Sequence, residues 1–98
     1  MQTVLRRYSG KGAKELFDLL EKRNAEVQEW MGAVKGLVTY TLVHSGDGGF
    51  SVTVCQDKAG IDEGMQRAKE WISTNAGSIG AAAPEVMEGR VIAHLNKS

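Results

Sequence analysis

The run Leu37-Val-Thr-Tyr-Thr-Leu-Val-His44, Ser45-Gly-Asp-Gly-Gly49, Phe50-Ser-Val-Thr-Val-Cys55 constrains this chain more than any other segment. Two alternating, β-branched stretches flank a cluster of three glycines, one serine and one aspartate. That is the pattern of a β-hairpin: glycine supplies the positive φ such turns need, and β-branched side chains suit a pleated surface. A strongly periodic helical stretch precedes it, a shorter one follows, and single strands open and close the chain. The order β-α-β-β-α-β predicts an α+β, ferredoxin-like fold, with a four-stranded antiparallel sheet and two helices on one face.

The first strand is expected over Thr3–Tyr8, ending at Ser9-Gly10 and Gly12. From Ala13 the apolar positions run Leu16, Phe17, Leu20, Val27, Met31 and Val34, at helical spacings. One long helix is therefore expected, closed by Gly32 and Gly36. A second helix spans Asp57 to Asn75, with Asp57 as N-cap, Gly77 as terminator and a stripe of Ile61, Met65, Ala68 and Ile72. Ser78–Pro84 is a small-residue connection with room for a helical turn, and the last strand is expected over Val86–Leu95. With 98 residues and no dividing linker, residues 1–98 read as a single domain.

Twelve basic residues balance twelve acidic ones, without a basic stripe, which argues against nucleic acid and anionic membranes as partners. No apolar run reaches the roughly 20 residues of a membrane span, and no signal-peptide pattern opens the chain. Cys55 is the only cysteine, which excludes an internal disulfide and a cysteine-rich metal site. A cytoplasmic protein is expected.

In the hairpin, Val38, Tyr40, Leu42, Phe50, Val52 and Val54 are expected to lie under the helices, leaving Leu37, Val43, Cys55 and the threonines on the other face. That second face carries no lysine or glutamate, so the sheet of a second subunit is expected to cover it.

On these features the chain resembles the dimeric α/β-barrel superfamily, specifically its small members related to antibiotic-biosynthesis monooxygenases. The resemblance rests on Arg6-Arg7-Tyr8-Ser9-Gly10 in the first strand and on the amphipathic helix ending at Val34-Lys35-Gly36-Leu37. It rests also on the glycine hairpin and on Pro84-Glu85-Val86 with Glu88-Gly89-Arg90-Val91. It implies two ferredoxin-like sheets joined face to face into a dimeric barrel, with a pocket between sheet and helices in each subunit. The superfamily includes cofactor-free monooxygenases, haem-degrading enzymes, isomerases and decarboxylases, so fold does not select an activity. The haem-degrading branch uses an asparagine near the first strand and a histidine that ligates iron. Here the first strand lacks asparagine and no histidine lies between His44 and His94, so neither haem nor another cofactor is expected.

Five residues are candidates for a ligand pocket: Asn24, Tyr40, Trp71, Arg6 and His44. Asn24 interrupts the apolar stripe of the first helix, either as a buried amide bonded to backbone or water, or as a ligand-orienting group. Tyr40 either fills the core or presents its hydroxyl to a pocket. Trp71 and Trp30 suit a pocket wall or a subunit interface. Arg6 and Arg7 point to opposite faces of their strand, so one is covered and must be paired or must meet an anionic ligand. His44 and His94 show no metal-ligand spacing, and strand-end solvation is their plain reading. Two functions stay open. One is a homodimer that binds a small organic molecule without catalysis; the other is a cofactor-independent monooxygenase-like enzyme acting on an aromatic or polyketide-like compound.

Overall fold

The computed structural model describes residues 1–97. Along the chain run β1 (Gln2–Tyr8), α1 (Ala13–Lys22), α2 (Asn24–Gly32), β2 (Leu37–Ser45), β3 (Gly48–Cys55), α3 (Lys58–Ala76), a 3-10 turn (Gly77–Ile79) and β4 (Glu85–Arg90). The strands form one antiparallel sheet in the order β2-β3-β1-β4, with the helices packed on one face. This is the ferredoxin-like arrangement. No helix among the described residues is long and apolar enough to cross a membrane.

The expected first helix is two helices. Arg23, at φ −111° and ψ 29°, leaves the helical region between α1 and α2. Beside it the Asn24 amide donates to the Glu21 carbonyl at 3.0 Å, which offers the backbone an alternative to helical continuation. The Arg23 side chain meanwhile donates to Glu26 and, at 3.0 Å, to Asn75 Oδ1 on α3. Both helices still bury the apolar stripe, through Leu16, Phe17 and Leu20 on α1 and Val27 and Met31 on α2. Asn24 itself is exposed, which overturns its reading as a buried amide: with the helix broken, the stripe steps past it. For α3 the cap is as expected, since Asp57 Oδ1 accepts from the Gly60 N–H at 3.0 Å.

The hairpin corrects a second expectation. Its turn is the two residues Gly46-Asp47, with Ser45 opposite Gly48, and Gly46 holds φ at 57°. Tyr40 consequently faces Thr53, Leu42 faces Ser51 and His44 faces Gly49. A five-residue loop would have aligned the two apolar sets of β2 and β3; the shorter turn shifts the register by one residue and reverses β3 relative to β2. The helix side of β3 is therefore Gly49, Ser51, Thr53 and Cys55, all buried. Phe50, Val52 and Val54 lie on the open side with Leu5, Val43 and Met87. A bulge between Leu37 and Thr39 brings Leu37 opposite Cys55, onto the helix side.

The last strand stops at Arg90 instead of Leu95. Gln2 pairs with Arg90, and beyond it Val91 N–H reaches the Met1 carbonyl at 3.0 Å, after which no neighbouring strand remains to pair with. Ile92 and Leu95 stand 89% and 92% exposed on this irregular stretch.

Gly49 lets α1 approach the sheet closely. A Cβ there would strike the Val43 carbonyl oxygen and come to 2.5 Å from ring carbons of Phe17. Gly49→Ala is expected to destabilise the fold by about 1–3 kcal/mol, read as a lower urea midpoint. Gly32→Ala, on α2 with open space around it, is the matched control and should be neutral or slightly stabilising.

Candidate functional site

Alternation along β1 turns Val4, Arg6 and Tyr8 towards the helices, where all three are buried, and Arg7 towards the open face. Arg7 lies 4.0 Å from Glu85 in an exposed pair. Arg6 has no such partner. It is 5% exposed, its Nη2 donates to Tyr8 Oη at 2.6 Å, and its Nε–H is buried without an acceptor. No carboxylate lies within ion-pair distance of it among the described residues. An uncompensated buried guanidinium is costly to the fold.

Arg6 sits in the middle of a seam between sheet and helices. At one end an open groove of about 430 Å³ lies between α1, α2 and β2, lined by Phe17, Leu20, Asn24, Tyr40, Leu42 and His44 among others. At the other end a chamber of about 450 Å³, as open to solvent as the groove, lies under α3, lined by Arg6, Tyr8, Lys69, Ile72, Pro84, Val86 and neighbouring residues. Between them is a narrow throat of about 20 Å³, bordered by Arg6, Tyr8, Tyr40, Ser51 and Trp71.

The five residues expected at a pocket are thus distributed along one seam. Tyr40 touches both groove and throat, Arg6 both throat and chamber, and Trp71 the throat and a separate surface recess of about 820 Å³ beside Glu26, Trp30 and Arg67. Asn24 is at the groove's rim, accepting from Gln28 Nε2 at 2.8 Å. His44 is there too, with Nδ1 3.0 Å from Glu21 and Nε2 3.8 Å from Asp18, its imidazole 25% exposed. Trp71 is buried, with its N–H donating to Glu26 at 3.2 Å and the Arg23 guanidinium 5.1 Å from its ring centre. Trp30 also borders the throat, fixed by a reciprocal pair of bonds with Arg67. Of the remaining chemistry-bearing residues, His94 lies outside the sheet beyond β4. Cys55 is buried, and burial first, then Asp57 and Glu63, push its thiol pKa up, which opposes thiolate formation.

Tyr8 and Lys69 are site residues that the sequence reading missed. Tyr8 follows Arg6 by two residues and so shares its face, which is the signal that could have found it. Lys69 gave no such signal, since its i,i+4 and i,i+3 neighbours place it only on the border of the α3 stripe.

The seam is electrically lopsided. Glu21 lines the groove, whereas Arg6 and Lys69 line the chamber with no Asp or Glu among the lining residues described. Burial pushes the Tyr40 hydroxyl pKa up to about 12, against the opposing pull of Arg6, with Tyr8 adding to the rise. Burial likewise raises Tyr8, with Arg6 opposing. Both phenols are neutral near pH 7. They can donate hydrogen bonds next to a fixed positive charge, but are poor bases.

No family model matches the sequence, and no curated protein matches it. Solved structures do. The NE2512 protein of unknown function from Nitrosomonas europaea is 16% identical, with a TM-score of 0.69 over 99% of this chain and 93% of that one. SnoaB, a cofactor-independent oxygenase from Streptomyces nogalater, is 18% identical, with a TM-score of 0.65 over 98% of this chain and 97% of its own. The subunit fold is ferredoxin-like. A variant of MhuD solved with two manganese protoporphyrin IX molecules per active site is also similar, at 17% identity and a TM-score of 0.66, covering 98% of each chain. At identities of 16–18% the likeness fixes architecture and leaves function to the residues of the seam.

The Tyr40 shift makes a pH prediction. Its folded pKa of about 12 lies above the ordinary 10.0, so the stabilisation of the buried neutral phenol is complete below pH 10 and is lost as pH climbs towards 12. Urea midpoints should fall over that window, and Tyr40→Phe should make the fall shallower.

Proposed function

We propose that this chain is a homodimer whose subunits each bind a small organic molecule between helices and sheet. The observation that carries the binding reading is the seam itself: two spaces of about 430 and 450 Å³, each sharing wall residues with a narrow throat where two tyrosines, two tryptophans and an unpaired arginine meet. Sites of this size, apolar with a few convergent polar groups, are the usual form of a small-molecule site.

The dimer rests on the open face of the sheet. Leu5, Phe50, Val52, Val54, Val43 and Met87 lie there, with charge only at the Arg7–Glu85 end. A second copy of the same sheet is the simplest cover, because a two-fold interface matches an apolar patch to itself. A cytoplasmic setting fits the lone buried thiol of Cys55.

A cofactor-independent oxygenase acting on an aromatic or polyketide-like compound is the second reading, favoured by the fold shared with SnoaB. Here it would draw on Arg6 and the neutral phenols of Tyr8 and Tyr40, which suit stabilising an organic anion better than removing a proton. The one imidazole of the seam, His44, stands at the groove's rim against Glu21 and does not border the throat or the chamber where Arg6 and Tyr8 meet, which places simple binding first.

Light scattering should return about twice 10.6 kDa, and Val52→Lys, a charge at the centre of the open face, should yield the monomer. The pocket is read separately. In Trp30→Phe, Trp71 is the single tryptophan, and methyl 2-naphthoate should quench its emission saturably. A wild-type monomer rejects the dimer; unsaturable quenching rejects the pocket.

A further inference from the structure

We infer that the ligand of the seam is an organic anion, an aromatic carboxylate, seated in the chamber under α3 with its charge against Arg6; this rests on the pocket reading above. Arg6 is buried, always protonated and without a counter-charge, and its Nε–H meets no acceptor. Several charged groups on this side of the sheet are paired with an opposite charge: Lys58 bonds Asp62 and Glu88, Arg23 bonds Glu26, and His44 lies against Glu21. Arg6, Arg67 and Lys69 have no carboxylate partner among the described residues, and of these Arg6 is the most deeply buried.

The groups around it select the class of molecule. Tyr8 cannot serve as the counter-ion, since burial holds its hydroxyl neutral. Its oxygen accepts from Arg6, which leaves its O–H to donate to a ligand at the chamber wall. Lys69 adds a second positive charge at the chamber wall. Guanidinium, phenol and ammonium together make a set of donors with no acceptor carboxylate, and a guanidinium matches the planar oxygens of a carboxylate. Apart from Ser73, the remaining side chains of the walls are apolar, with Met65, Ile72, Ala76, Pro84 and Val86 among them. They fit the hydrocarbon part of such a ligand. The groove at the far end, which carries Glu21, would repel the same charge.

The test uses the 98-residue chain and a matched pair of probes, 2-naphthoate and methyl 2-naphthoate, titrated by calorimetry at about pH 7. Wild type should bind the acid at least tenfold tighter than the ester. Arg6→Met should abolish that preference while still binding the ester, and Arg6→Lys should retain part of it. The wild-type comparison needs no variant, so a folding failure of Arg6→Met leaves the test intact. Equal affinities, or tighter binding of the ester, would overturn the anion assignment and leave the pocket standing, with Arg6 satisfied by trapped water. Binding of neither probe would overturn the pocket reading and this inference with it.

Discussion

The two-residue turn at Gly46-Asp47 governs what each face of the sheet is made of. Because strand side chains alternate, moving the β2–β3 register by one residue exchanges every side chain of β3 between core and exterior. The observed register sends Ser51 and Thr53 under the helices and Phe50, Val52 and Val54 outwards. The small residues beneath α1 allow close helix approach at Gly49, while the bulky ones make the opposite face too apolar to be an ordinary solvent surface. Core and candidate interface are thus two results of one turn.

Under the helices, small polar residues on β3 leave room that larger apolar side chains would have filled. Tyr8, Tyr40 and Arg6 extend into that room from the flanking strands. The outcome is a seam in place of a solid core, and a guanidinium held away from water without a carboxylate. Such an arrangement trades stability for a fixed field, the usual relation between a binding site and the fold around it. The two neutral phenols keep that field directional, since neither removes the positive charge.

Much of the architecture was legible because its signals are local. Asp57 announces the start of α3, Gly77 its end, and the spacing of Arg6 and Arg7 fixes that they diverge. Register was not legible. Ser45–Gly49 accommodates loops of different length, and only the Tyr8 carbonyl and the Phe17 ring, close against Gly48 and Gly49, reveal that these glycines are strand residues. The helix break escaped notice because the apolar spacing on either side of Arg23 remains helical; the competing Asn24–Glu21 bond is a backbone event that periodicity does not encode. In the candidate site, alternation puts Tyr40 on the helix side of β2, but it says only that one of Arg6 and Arg7 is covered, and the burial of Arg6 comes from the structure. Trp71 lies beside the α3 stripe, Asn24 breaks a stripe whose helix the structure ends at Arg23, and Tyr8 shares the Arg6 face next to the Ser9-Gly10 stop.

The six residues of β4 are all exposed, and the strand is held to the sheet along β1 alone, through pairing that joins residue 2 to residue 90. An edge strand with so little buried area, secured by contacts between opposite ends of the chain, forms late and opens early. Val86 and the Pro84 approach to β4 are also walls of the Arg6 chamber. Fraying of this one strand therefore removes one wall of an already open chamber without disturbing the hairpin or α1, so any hold the chamber has on a ligand falls to Arg6 and Lys69 and not to enclosure.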